Sequence, residues 1–263
     1  VSENIGVKGM ESKAWYLEYK IHKNRPGLLG DIASLMGMLG INITTINGVD
    51  DRTRGFLVHT EDEKKIKLLG DLLGTIDNIT VNAIREPKLV DILAVRHGRY
   101  IERDSDDRKT FRFVRGELGL LVDFLGEIFK QDGHQLIGLR GMPRVGKTES
   151  IIAGSVCANK RWTFVSSTLL RQTVRSQLSE EEASLNNIFI IDGIVSTLRA
   201  NEKHHSLLQE IMSMSTTKVI EHPDIFIKES EYTYDDFHYF IELRNTPEEE
   251  IHVDFISAPN DGF

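Results

Sequence analysis

Residues 141–148 read Gly-Met-Pro-Arg-Val-Gly-Lys-Thr, an instance of the pattern G-x-x-x-x-G-K-[ST]. Each fixed residue has a physical task. Gly141 and Gly146 let the backbone bend until several N–H groups point inward as a nest for an anion. Lys147 brings a positive charge to terminal phosphates. Thr148 offers a hydroxyl to Mg²⁺ and opens a helix whose N-terminal dipole favours negative charge. Such a loop needs a buried strand before it and a helix after it. The apolar run at 134–139 suits the strand, and the small and apolar residues of 148–160 suit the helix. The pattern therefore predicts a nucleoside triphosphate, ATP or GTP, held with Mg²⁺ by Gly141, Met142, Pro143, Arg144, Val145, Gly146, Lys147, Thr148 and Glu149. Glu149 belongs to the first helical turn, which usually directs its side chain away. The plainer alternative is a glycine-bounded turn ahead of an ordinary helix.

At 263 residues the chain exceeds one average domain, and 40% hydrophobic with 27% charged residues fits a soluble globular protein. Cys157 is the single cysteine, so an intramolecular disulfide and a cysteine-based metal cluster are excluded. A lone cysteine fits a reducing, cytoplasmic setting. No apolar run approaches the roughly 18 residues of a membrane span. The chain begins at Val1 without a signal-peptide pattern, and Met10 is an alternative start. A net charge of −8 argues against nonspecific nucleic-acid binding as the main task.

The N-terminal part reads strand–helix–strand–strand–helix–strand. Residues 15–22 alternate between two faces, as a half-buried strand does. Residues 24–27 form a Pro-Gly turn. Leu28, Leu29, Ile32, Leu35, Met36 and Leu39 make a helical stripe closed by Gly40. Residues 41–47, 55–59 and 79–84 are strand-like, and 61–73 is a second helix. This order predicts a split β-α-β, ferredoxin-like α+β module. The stretch Asn24-Arg-Pro-Gly-Leu-Leu-Gly-Asp-Ile, followed by Gly40-Ile-Asn-Ile, resembles the ACT domain, a small regulatory module; the resemblance covers about residues 14–86. The family usually carries Asp where Asn24 stands. The resemblance implies side-by-side pairing into a homodimer and a small effector, frequently an amino acid. The effector would contact Asn24, Arg25, Pro26, Gly27, Leu28, Ile41 and Asn42. An ACT domain that only dimerises is the alternative. Domain bounds of 14–87 follow, with a mixed-charge joint at 88–115 that reads as a solvated linker or short amphipathic pieces.

From 116 to 256 the reading is a mainly parallel α/β sheet domain. A helix is predicted over 116–130, then strands at 161–165, 187–191, 218–220, 225–227, 237–243 and 251–256, with helices at 167–177 and 203–212. Residues 257–263 read as a frayed tail. Four apolar residues ending in Asp192 form a Walker-B pattern, whose carboxylate emerges at the ligand end of such a sheet and can hold Mg²⁺ beside Thr148. The alternative for Asp192 is a helix N-cap. Residues 164–171 resemble an element of small-molecule kinases. That resemblance turns Ser166, Ser167, Thr168 and Arg171 toward a phosphate acceptor, but the family's acidic residue after the Thr is replaced by Leu169. Arg144, Arg175 and Arg199 are further candidates for closing on phosphate. Glu221, His222 and Asp224 form a polar cluster near the top of the sheet. The whole chain also resembles an uncharacterised Bacillus-type group, the YmfK-like proteins, through residues 141–150 and 221–227. The combined expectation is a P-loop phosphotransferase with Lys147, Asp192 and Arg171 as catalytic groups, regulated through its ACT half. A nucleotide-binding switch with little turnover is the alternative.

Overall fold

The structure, a computed structural model, describes residues 13–107, 109–165, 178–194 and 202–251, the side chains of 202–204 excepted. The expected contributions of Ser166, Ser167, Thr168, Arg171, Arg175 and Arg199, the helix at 167–177, and the strand and tail beyond 251 lie outside the described residues. The chain divides into two compact units between Ile101 and Glu102.

The first unit carries β1 (Lys13–Ile21), α1 (Leu28–Met38), β2 (Asn42–Gly48), β3 (Thr53–Thr60), α2 (Glu63–Leu73), β4 (Ile79–Arg85) and α3 (Leu89–His97). Its sheet is antiparallel in the order β2-β3-β1-β4. Alternation along β1 sends Leu17, Tyr19 and Ile21 to one face. There they meet Leu28, Ile32 and Met36 of α1 and Ile66, Leu69 and Leu73 of α2 in one buried cluster. The i, i+4, i+8 spacing of the α1 residues makes that stripe. Asp62 caps α2 by accepting from the Lys64 N–H at 2.9 Å.

The opposite sheet face is covered as well. Tyr16 and Val49 pack with Ala94 and Val95 of α3. Gly55 makes the close approach possible, since a Cβ there would stand 2.8 Å from Val95 Cγ2. Arg85 binds the Asp91 carboxylate through both terminal guanidinium nitrogens, which fastens α3 to the end of β4. The span read as a linker, 88–115, is thus structured at both ends. Its charged residues hid the apolar face of Leu93, Ala94 and Val95 from a composition-based reading.

The second unit holds β5 (Glu102–Arg103), β6 (Thr110–Val114), α4 (Leu118–Phe129), β7 (Gln135–Gly141), α5 (Lys147–Cys157), β8 (Arg161–Val165), β9 (Asn187–Asp192), α6 (Glu202–Ser213), β10 (Thr217–Glu221), α7 (Pro223–Lys228) and β11 (Tyr239–Arg244). The sheet order is β5-β6-β11-β7-β10-β9-β8, and every pairing except β5–β6 is parallel. The central strands are apolar along their length because both faces are covered. Leu136, Phe189, Ile191, Ile220 and Phe240 face Leu207 and Ile211 of α6 and Phe226 of α7. α4 and α5 pack together at Gly126 and Gly154.

One predicted element is wrong. Residues 225–227 are not a strand but part of α7. His222 takes a left-handed conformation (φ 57°) that turns the chain out of β10. Pro223 then sits at the helix start, where its fixed φ suits the first turn and its missing N–H has no cost. Ile225 and Phe226 are buried as helix residues.

Candidate functional site

The loop at 141–148 joins the C-terminal end of β7 to the start of α5. Gly141 has to be glycine on steric grounds: a Cβ would lie 2.6 Å from the Leu243 carbonyl oxygen on β11. Arg144 (φ 63°) and Gly146 (φ 110°) both take left-handed backbone geometry. Such reversals let successive N–H groups converge into an anion nest. Val145 is buried and anchors the loop, while Met142, Pro143, Arg144 and Glu149 are exposed. The Arg144 carbonyl accepts from Arg115 Nη1 at 3.3 Å.

Lys147 is 8% exposed, and its ammonium donates to the carbonyls of Gly141 (2.7 Å) and Met142 (3.1 Å). The charge is thereby held inside the loop. Burial pushes the Lys147 pKa below its ordinary value, although Glu221, Asp192 and Glu149 pull it upward.

The Thr148 hydroxyl donates to Glu221 Oε1 at 2.6 Å. Glu221 ends β10, which lies between the loop strand β7 and the Asp192 strand β9. In register, Glu221 stands directly beside Asp192. Neighbouring strands are about 4.8 Å apart, so Asp192 is one strand further from the loop than Glu221. Asp192 Oδ1 also accepts from the Ile194 N–H at 3.0 Å, a contact of the N-cap kind. Burial pushes the Glu221 carboxyl above the usual range. Thr148 and Lys147 oppose that without cancelling it, and Asp192 adds to it. His222 is pushed down by burial and then by the Lys147 charge. Asp224 is committed elsewhere: Arg140 grips it at 2.8 and 2.9 Å, and the Tyr234 hydroxyl donates to it at 2.7 Å.

Lys147, Thr148 and Asp192 therefore come to one end of one sheet, joined by Glu221. The sequence placed Glu221 in a polar cluster but gave it no role. Its only signal was the short pair Val219-Ile220 ending in an acid, weaker than the four apolar residues before Asp192 because Thr217 and Lys218 interrupt the run. A hydroxyl and two carboxylates form a hard oxygen set that fits Mg²⁺.

In the first unit, Arg25, Pro26, Gly27 and Leu28 form a turn closed by the Leu28 N–H to the Arg25 carbonyl at 3.3 Å. Gly27 (φ 83°) supplies the positive φ that a type II turn needs at its third position. Leu28 and Ile41 share one buried cluster, while Asn24, Arg25, Pro26, Gly27 and Asn42 are exposed. Arg25 pairs with Asp31 at 2.6 Å.

Fold and site thus define an α/β protein with an antiparallel ACT-like sheet domain and a second, mainly parallel sheet domain. Comparison with known proteins agrees with the first part: residues 16–78 match the ACT domain. The chain belongs to the family described as "Protein of unknown function (DUF3388)", whose model matches residues 81–262. It is 61% identical over 254 residues to "Uncharacterized protein YmfK" of Bacillus subtilis (strain 168), covering 97% of this chain and 94% of that protein. A solved phospho-2-dehydro-3-deoxyheptonate aldolase of Thermotoga maritima aligns at 14% identity over 88% of this chain and 69% of its own. Its TM-score of 0.22 carries no argument. The family descriptions assign no nucleotide, and the P-loop reading rests on residues 141–148 and their surroundings. Among the described residues, no helix is long and apolar enough to cross a membrane.

Proposed function

We propose that the second unit binds a nucleoside triphosphate with Mg²⁺, and that a small effector on the ACT domain regulates it. The observation that supports this most is the loop of residues 141–148, with the buried Lys147 ammonium inside it and Thr148 bonded to Glu221. The N–H groups of the first turn of α5 have no intrahelical partner and suit phosphate oxygens. Thr148, with Asp192 and Glu221 behind it, would hold Mg²⁺, which when bound neutralises charge on phosphate oxygens. Lys147 stabilises charge on the terminal phosphate.

Phosphoryl transfer to a small molecule, with Arg171 orienting the acceptor, is the reaction favoured by the kinase-like stretch at 164–171. A slow nucleotide switch is the second reading. It is favoured by Leu169, which stands where the kinase-like stretch carries an acidic residue. Binding of fluorescent ATP and GTP analogues with and without Mg²⁺ tests the common premise. Wild type is expected to bind one of them in a Mg²⁺-dependent way, with Lys147→Ala at least tenfold weaker. Absence of such binding in wild type overturns it. Product assays then separate the two readings: ADP or GDP formed only with an acceptor pool supports transfer, and slow acceptor-independent formation supports the switch.

For the ACT domain, a thermal-shift screen of amino acids is the direct test. A ligand at a hundredfold excess over its dissociation constant stabilises by about 2.7 kcal/mol. Arg25→Ala leaves the fold intact, since its exposed ion pair is worth about 1 kcal/mol or less, and should remove the shift. A flat screen on a confirmed dimer would favour dimerisation alone.

A further inference from the structure

A cavity of about 730 Å³ opens in the first unit where β1, the β2–β3 turn and the end of α3 meet. Lys20 contributes from β1, Arg52 from the turn, and His97 and Arg99 from either side of Gly98, with Val49 as a buried wall. Gly98 (φ 72°) ends α3 in the left-handed conformation, and this reversal brings Arg99 around to the cavity.

Two carboxylates also line it, Asp50 and Asp51. Asp50 is occupied in building the turn. Its Oδ1 accepts from the N–H groups of Arg52 and Thr53, both at 2.7 Å, and its Oδ2 from the Thr53 hydroxyl at 2.9 Å. Glu18, which alternation places on the same face of β1 as Lys20, accepts from Tyr16, Tyr100 and Asn82 at 2.5 to 2.9 Å. At the carbonyl end of α3 the Ala94 oxygen accepts from the N–H groups of Gly98 (2.9 Å) and Arg99 (3.1 Å). Asp50 and Glu18 are thus engaged in local bonds, and among the lining side chains the cations Lys20, Arg52 and Arg99 outnumber the carboxylates Asp50 and Asp51 by three to two, which sets a positive sign. This local sign opposes a chain of net charge −8.

We infer that this cavity is a binding site for a small, multiply charged anion carrying phosphate or carboxylate groups. Arginine forks from two different loops suit such planar or tetrahedral oxyanions. The site differs from the effector candidates at 24–28 and 41–42, because Leu28 and Ile41 belong to the cluster on the other face of the sheet. It also requires α3, which lies beyond the ACT match at 16–78 and within the DUF3388 match. The inference does not depend on nucleotide binding by the second unit.

The test is calorimetric titration of the full chain with inorganic phosphate and with citrate, using sodium chloride of equal ionic strength as the control. Saturable binding of at least one probe is expected. It should weaken at least tenfold in Arg52→Gln/Arg99→Gln, with the thermal midpoint of the unliganded chain unchanged. Preference for phosphate or for citrate identifies the ligand's acid group. Should the double variant fail to fold, Lys20→Gln decides, with a threefold or greater weakening expected. The proposal is overturned if neither probe saturates, if chloride competes equally, if the arginine variants retain full affinity, or if Lys147→Ala removes the binding instead.

Discussion

Lys218 stands at the opposite end of β10 from Glu221 and is fully buried. Its ammonium donates to the Met214 carbonyl and to His134 Nδ1, the latter at 3.0 Å. Burial pushes its pKa down to about 8. In the unfolded chain a lysine titrates near 10.5. Between about pH 8 and 10.5 the unfolded chain therefore holds a proton that the folded chain has released, and stability rises with pH across that window. Below pH 8 the cost of burying the charge is fully present, about 3 kcal/mol at about 1.4 kcal/mol per pH unit. Lys218→Met should raise stability at pH 7 by roughly 2 kcal/mol, less than the full cost because His134 and Met214 lose a donor. It should also remove the rise between pH 8 and 10.5. Urea denaturation across that range measures both, and a less stable variant at pH 7 would count against the account. Glu221 has the related asymmetry of an acid. Its raised pKa means that the folded chain holds a proton longer than the unfolded one, so its charging lowers stability as pH rises above about 4.5. Glu221→Gln is expected to flatten that fall while weakening the Mg²⁺ dependence of nucleotide binding about tenfold, a typical loss for a group that orients a metal ligand. An unchanged Mg²⁺ dependence would remove Glu221 from the site.

Among the elements, α4 and α5 set the precision of the phosphate loop, because α5 begins within it. The two helices approach closely because each presents a glycine to a side chain of the other. A Cβ on Gly154 would stand 2.7 Å from Leu125 Cβ, and one on Gly126 would stand 3.1 Å from Cys157 Cβ. Gly154→Val should cost about 2 to 3 kcal/mol by forcing the helices apart. Gly119→Ala, at an exposed α4 position with no atom near the added Cβ, should be neutral or stabilising. Thermal melts of both variants check the contrast, and equal losses would contradict it. These elements were legible in the sequence because periodicity is a local property. Leu118, Leu121, Leu125 and Phe129 announce α4, and the alternation of residues 15–22 announces β1. Spatial strand order is not local. Nothing in residues 187–192 says that β10 lies between them and β7, so the sequence paired Thr148 with Asp192 and passed over Glu221. Residues 225–227 misled for a different reason: a three-residue apolar run fits strand and helix equally, and only Pro223 with the reversed His222 selects the helix.

At the scale of the whole molecule, the decisive question is where the first unit ends. A split β-α-β module is complete after β4, and the sequence reading stopped it at residue 87 for that reason. The structure continues it to Ile101. The physical cause is the second face of the sheet. Without α3, Tyr16 and Val49 would be uncovered, and the burial of Leu93, Ala94 and Val95 would be lost. Full burial of a Leu or Val side chain is worth about 1.5 to 3 kcal/mol. Asp91, 8% exposed and gripped by Arg85, adds an ionic lock whose partner would be left without it. Both buried clusters of this unit lie within residues 13–101. A fragment of residues 13–101 is therefore expected to fold by itself, with dispersed amide resonances and a cooperative melt. A fragment of residues 13–87 should be less stable by about 3 to 5 kcal/mol and, lacking His97 and Arg99, should not bind the anion probes. Equal stability of the two fragments would show that α3 is an appendage. Loss of stability with anion binding retained would leave α3 as packing alone and place the anion site elsewhere in the unit.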